Sequence, residues 1–168
     1  MVFALNIMSD RRQPRRRWGM GRGFSLIELV VVLIILGIWA SIAVPRVANS
    51  LARYRMEAAA TRIVRDLALA RARAKSASVS QAVVFDLAAG SYQLVGIEDI
   101  DRSGEVYEVL LADYPYRATI VAAEFDGDTG IVFDGYGVPD SGGTVIIQGG
   151  GYQRVITLDP DTGQASVQ

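Results

Sequence analysis

The 168-residue chain has no cysteine and no histidine. It therefore forms no disulfide, and thiolate or imidazole metal sites and Cys- or His-based nucleophilic catalysis are excluded. An enzyme built on this sequence would depend on carboxylates, and no spacing nominates an acid and a base. Charge is also nearly absent from Phe24 to Val44, where only Ser25, Glu28 and Ser41 are polar in 21 residues.

What is present is strongly segregated. The net charge of −1 conceals a basic first half and an acidic second half. Residues 1–23 hold six Arg against Asp10, and residues 24–78 hold eight cations against Glu28, Glu57 and Asp66. Residues 79–168 hold Arg102, Arg117 and Arg154 against fourteen acids, a net of −11. The organisation is a basic leader (1–23), an apolar helix (24–44), an amphipathic stem (45–78) and a β-rich acidic head (79–168).

Twenty-one residues of helix span roughly 31 Å, against about 30 Å for the hydrocarbon core of a bilayer. An arginine-rich flank sets the leader on the cytoplasmic side and everything beyond Pro45 across the membrane. A cleaved signal peptide and an unprocessed signal anchor are the two plain readings. Ser41-Ile42-Ala43 offers the small residues of a signal-peptidase site, but the run exceeds the usual ~7–15 residues. Glu28 argues against both, because a carboxylate at the centre of a membrane helix costs about 2.5–3.5 kcal/mol and normally meets a partner. No cation lies between Phe24 and Val44. Cleavage after Gly23 would create an α-amino group at Phe24, one helical turn from Glu28. In a parallel bundle, a neighbouring subunit's amine would then supply the counter-charge.

Gly23-Phe24, Glu28 and the apolar run resemble the N-terminus of type IV prepilins and type II secretion pseudopilins. Pro45 stands where that family commonly carries a helix-kinking proline. The resemblance implies cleavage after Gly23 by a prepilin peptidase and N-methylation of Phe24. It also implies assembly with other pilin or pseudopilin subunits, with Glu28 neutralising a neighbour's Phe24 amine. The subunit would wait in the inner-membrane lipid, its N-terminus cytoplasmic and its head periplasmic, before entering the filament.

In the stem, Met56, Ala60, Ile63, Leu67, Ala70, Ala74 and Ala77 recur at three- and four-residue spacing, one apolar helical face. Val47, Leu51, Tyr54 and Ala58 form an earlier stripe. Pro45 removes one backbone hydrogen bond and predicts a bend there. After Ser78 the pattern changes to short β-type runs at 82–86, 92–97, 106–111, 118–125, 131–133, 144–148, 154–158 and 165–167. Val84, Phe85, Leu94, Val109, Ile120, Phe133, Ile146 and Ile156 are the expected head core. The fold class is α+β, with one long N-terminal helix packed on antiparallel sheets.

The segment Ile131-Val-Phe-Asp-Gly-Tyr-Gly137, the run from Gly143 and the closing Arg154–Gly163 stretch resemble the GspH/FimT group of minor pilins and pseudopilins. Some FimT-type members bind DNA through Gly-Arg-x-Arg near the last turn, which makes a pilus-tip binding module for DNA uptake or adhesion the alternative function. Here that stretch reads Gly163-Gln164-Ala165-Ser166, without either Arg, in an acidic head. DNA affinity rests largely on cations meeting phosphates, so DNA is not the expected partner.

Two segments share the form Asp-x-Asp-Thr-Gly, Asp126–Gly130 and Asp159–Gly163. Asp126, Asp128, Asp159 and Asp161 are weak calcium candidates, since neither loop has the distal Glu of an EF-hand. Asp and Gly are ordinary turn residues. No metal or cofactor is expected, and Gly149-Gly150-Gly151 reads as a hairpin turn rather than a phosphate loop. The sequence therefore predicts a non-enzymatic minor pseudopilin or pilin.

Overall fold

The computed structural model describes residues 23–99 and 104–168, and only the backbone of residues 42–45. The leader arginines lie outside the described residues, as do Asp101, Arg102 and the Pro45 side chain. The chain divides into two compact units, Met1–Ala40 and Ser41–Gln168. One helix, α1 (Leu26–Ala77), contributes to both.

In the first unit, every side chain from Gly23 to Ala40 is exposed, including Leu33, Ile35 and Trp39. The most apolar window of α1 has a mean hydropathy of 2.7, and none of that window is buried by protein. A helix that is apolar all round and covered by nothing needs an apolar solvent or other helices.

The second unit combines the rest of α1 with eight strands. These are β1 (Gln81–Asp86), β2 (Ser91–Glu98), β3 (Val106–Leu110), β4 (Thr119–Glu124), β5 (Gly130–Phe133), β6 (Gly143–Gly149), β7 (Tyr152–Leu158) and β8 (Ala165–Val167). They form two four-stranded sheets, β3-β2-β1-β5 and β4-β6-β7-β8. Every pairing is antiparallel. All eight runs predicted from the sequence are strands, with no end shifted by more than two residues.

The two sheets and the helix share one core. Met56, Ala60, Ile63, Leu67, Ala70 and Ala74 are buried, and between them they line the helical face read from the sequence. Ala59 joins them, whereas Ala77 is exposed at the helix end. The Val47-Leu51-Tyr54 stripe is not part of this core, since Tyr54 is 71% exposed. At 3.6 residues per turn it lies on the face opposite Met56 and Ile63. The residue after Tyr54 in the stripe, Ala58, is only half-buried.

The head core keeps Phe85, Leu94, Ile120, Phe133 and Ile156. Phe85 packs against Phe125, with ring centroids 5.7 Å apart. Three expected members are displaced. Val84 is exposed while Val83 is buried, and Ile146 is half-buried while Ile147 is buried. Each belongs to a doublet, and a strand sends only one of two adjacent side chains inward. Val109 lies on the edge strand β3 and is half-buried.

Of the three crossings between the sheets, the one from β4 to β5 is a two-residue turn. Phe125 N–H donates to Asp128 O at 2.9 Å and Asp128 N–H returns to Phe125 O at 3.1 Å. Asp126 and Gly127 between them have φ of 52° and 94°. Two consecutive left-handed residues define a type I′ turn, for which Asp-Gly is a preferred pair. The expected Gly150-Gly151 hairpin turn also forms, with Gly149 opposite Tyr152.

Gly143, at the start of β6, is fixed by close approach. A Cβ there would stand 2.3 Å from Glu124 O and 2.3 Å from a Phe125 ring carbon. Gly143→Ala is expected to cost about 1–3 kcal/mol, as small-to-large changes in packed regions do. Denaturation of the full chain in detergent checks this, and an unchanged midpoint would contradict the packing described.

Candidate functional site

Gly23, Phe24 and Ser25 form an exposed non-helical stretch immediately before α1. Leu29 N–H donates to Ser25 O at 3.1 Å, the first bond of the helix. Glu28 thus sits in the first turn. Free amide groups at a helix start favour negative charge by about 0.3–1 kcal/mol. That is small beside the ~2.5–3.5 kcal/mol cost of a charged side chain at the centre of a membrane helix, which is an upper bound for Glu28 because it stands in the first turn. Among the described residues Glu28 makes no ion pair and is exposed. Gly23, Phe24 and Glu28 thus lie within six consecutive residues, across the junction of non-helical chain and the first turn of α1. Pro45 is remote from them in sequence, on the far side of the apolar segment, and α1 is assigned as helix through it.

The four aspartates singled out from the sequence belong to two different turns. Asp126 is in the type I′ turn, where Glu124 Oε1 accepts from Gly127 N–H at 3.0 Å. Asp159 organises the last turn through its side chain. Its Oδ1 accepts from Asp161 N–H at 3.0 Å, Thr162 N–H at 2.7 Å and Thr162 Oγ1 at 2.8 Å. These bonds, the Thr162 amide foremost, hold the Asp159 carboxyl below its ordinary range. A depressed carboxylate stabilises the fold above its unfolded pKa, and this contribution is lost as pH falls through the folded value. Among the described residues no three carboxylates gather in a metal-binding group.

The structure also contains a polar cluster that the sequence reading passed over. Asp66 lies on the buried face of α1, between Ile63 and Ala70, and is 5% exposed. Its Oδ2 accepts from Tyr92 OH at 2.5 Å and from Arg62 Nε at 2.9 Å. Its Oδ1 accepts from Tyr107 OH at 3.1 Å. Arg62 also donates to the Tyr107 hydroxyl and stands over its ring, 5.8 Å from the centroid. A buried carboxylate persists when its lone pairs are taken, and here two donors come from β2 and β3 and one from α1 itself. Burial first, then the Asp66 charge, push the Tyr92 phenol far above its ordinary range. A raised phenol contributes stability below its unfolded pKa of about 10, and that contribution is lost only in strong alkali. Burial opposes the Arg62 charge, but Asp66 more than offsets it, so the guanidinium is held above its usual value. The cluster offers a tie between helix and sheet rather than a nucleophile and base. Its signal in the sequence is an acid placed on an otherwise apolar helical stripe.

The second half of α1 is further tied at two places. Arg154 of β7 pairs with Glu57 at 3.0 Å. Arg71 Nε donates to Gly137 O at 3.1 Å.

Comparison with known proteins gives three findings. Residues 20–44 match the prokaryotic N-terminal methylation motif. Residues 59–162 match the type II transport protein GspH family. The fold is similar to the type IV minor pilin FimU of Pseudomonas aeruginosa, with a TM-score of 0.52 at 16% identity, covering 69% of this chain and 90% of that one. No curated protein matches the chain by sequence.

Tyr92→Phe removes one acceptor bond from Asp66 and is expected to cost about 1–3 kcal/mol. Asp66→Ala strands the buried Tyr92 hydroxyl and also removes the partner of Arg62 and Tyr107, so it should cost more, while Tyr107→Phe, at the half-exposed rim, should cost least. Denaturant midpoints of the three variants check this order. Values all within the ±0.5 kcal/mol typical of surface changes would refute the tie.

Proposed function

The chain belongs to the type II transport protein GspH family and is a minor pilin-like subunit, and from that premise we propose how it is processed and assembled. Prepilin peptidase cuts after Gly23 on the cytoplasmic side, and Phe24 becomes the N-methylated first residue. The apolar half of α1 holds the subunit in the inner membrane with its head in the periplasm. Glu28 then pairs with the Phe24 amine of a neighbour as the subunit enters a type II secretion pseudopilus or type IV pilus.

The observation that carries this reading is the placement of Gly23 and Phe24 in exposed non-helical chain beside an exposed, unpaired Glu28. A peptidase needs an extended, accessible segment. An intramembrane carboxylate needs a counter-charge, which the new amine supplies. The family's members are structural subunits, and we read this chain as non-enzymatic, with no cofactor. Pro45 serves assembly by letting the apolar segment and the stem adjust to each other at one backbone position that lacks an amide donor.

Two substitutions separate processing from assembly. Gly23→Ala is expected to leave only the precursor on a gel of host membranes, and a mature-sized band would contradict the cut site. Glu28→Val is expected to be cut normally yet to be depleted several-fold from sheared filaments. Unchanged recovery in filaments would remove the pairing role.

A further inference from the structure

A groove of about 330 Å³ runs between the second half of α1 and the start of β8. Val64, Ala68 and Ala72 line it from the helix, and Gly163 and Ala165 line it from the head. Arg71 and Lys75 stand towards the C-terminal end of the same helix face.

The strand beside the groove has an open edge. β8 pairs on one side only, with β7. Asp159 N–H bonds Gln164 O, and Gln168 N–H bonds Val155 O. In an antiparallel ladder this turns the backbone of the even residues towards β7 and points the amide and carbonyl groups of Ala165 and Val167 away from it. The side chains of Ala165 and Val167 pack against the core, while Ser166 between them is exposed on the outer face. Unpaired edges of this kind are templates for another strand. A strand added here would turn every second side chain towards Ala68 and Ala72, which are small and exposed.

The two cations decide what such a strand must carry. Arg71 Nε donates to Gly137 O at 3.1 Å, and a Cβ on Gly163 would stand 3.3 Å from that nitrogen. A Cβ on Gly137 would stand 2.5 Å from Lys75 Cε, so the lysine stem lies against the same loop. Both cations are thereby held near Gly163, two residues before Ala165. Neither makes an ion pair among the described residues. Asp159, in the turn that leads into β8, has its Oδ1 committed to that turn. Lys75 also suits the last turn of α1, where cations favour the helix dipole, but that role does not call for Arg71 beside it.

We propose that the β8 edge takes up an extended, acidic segment of a different protein, which continues the sheet beyond β8 and sets a carboxylate against Arg71 and Lys75. Main-chain bonds to Ala165 and Val167 supply the attachment, and the charge pair fixes the position along the edge. A nucleic acid is a poorer fit, because its affinity needs a run of phosphate contacts and residues 79–168 carry a net −11. A second copy is not the occupant, since a contact between unlike surfaces of one chain propagates, and a minor subunit does not. That exclusion rests on the subunit reading; the open edge and the cations do not.

The test places a photoreactive residue beside the edge without filling the groove. The full chain carrying Ser166→p-benzoylphenylalanine is expressed in its host, irradiated and purified, and the linked peptide is sequenced by mass spectrometry. The expected product joins position 166 to one other protein, within a segment that carries Asp or Glu no more than four residues from the link. Lys75→Glu should reduce the yield several-fold, and changing the partner's acid to Lys in that background should restore it. Ala165→Pro removes the outward amide but no bond to β7, as proline does on an edge strand. It should also reduce the yield several-fold while the denaturant midpoint stays in place. No linked protein, a link to a second copy, to lipid or to nucleic acid, or a linked segment without an acid would each overturn the proposal. So would a yield indifferent to both variants. Precursor and mature chain separate on the same gel, so a failure of processing is read apart from a failure of the contact.

Discussion

Both sheets bury their inner faces on the same stripe of α1, and neither has a separate core. Met56 through Ala74 supply the helical side, while Phe85, Leu94, Phe133, Ile147 and Ile156 supply the sheet side. The stripe is rich in alanine, which lets strands approach the helix closely and favours the helix itself. Asp66 is the one charged side chain on that face, and its bonds to Tyr92 and Tyr107 fix which part of the helix meets which strands. Apolar burial alone is non-directional and would tolerate a slip along the stripe. The polar tie does not tolerate it, since a shift would leave the Asp66 carboxylate and the Tyr92 hydroxyl buried without partners.

The same helix begins as a surface that protein does not cover. From Leu26 to Ala40 every side chain is exposed and nearly all are apolar. Such a segment is stable as helix in lipid, because each backbone group bonds within the helix. Glu28 is the exception to its chemistry, a carboxylate in the first turn of an otherwise apolar segment. In the scheme we propose, cleavage after Gly23 would make a counter-charge for it in every copy. On that proposal the carboxylate, a liability for a lone subunit, becomes an attraction between assembled ones.

Much of this was legible in the sequence, for physical reasons. The apolar run, the basic leader and the Gly-Phe…Glu spacing are local and strong, and the methylation motif matched at residues 20–44 covers the first and the last of these. The strands announced themselves through β-branched runs between Gly and Asp turns. Facing was less legible at Val83-Val84 and Ile146-Ile147, where two equal residues stand side by side and only the register chooses between them. Strand order was not legible either. β5 leaves β4 through the Asp126-Gly127 turn to pair with β1, a choice made by sheet packing rather than by local sequence. Asp66 was hidden because a carboxylate on a helix reads as surface until the two tyrosines that satisfy it are placed nearby.

The central claim is that Glu28 is answered by an amine that processing creates. The most direct measurement is the N-terminal sequence and intact mass of the chain purified from its own host membranes. The account predicts a single species beginning at N-methylated Phe24. A chain that still begins at Met1, or one cut beyond Ala43, would contradict it.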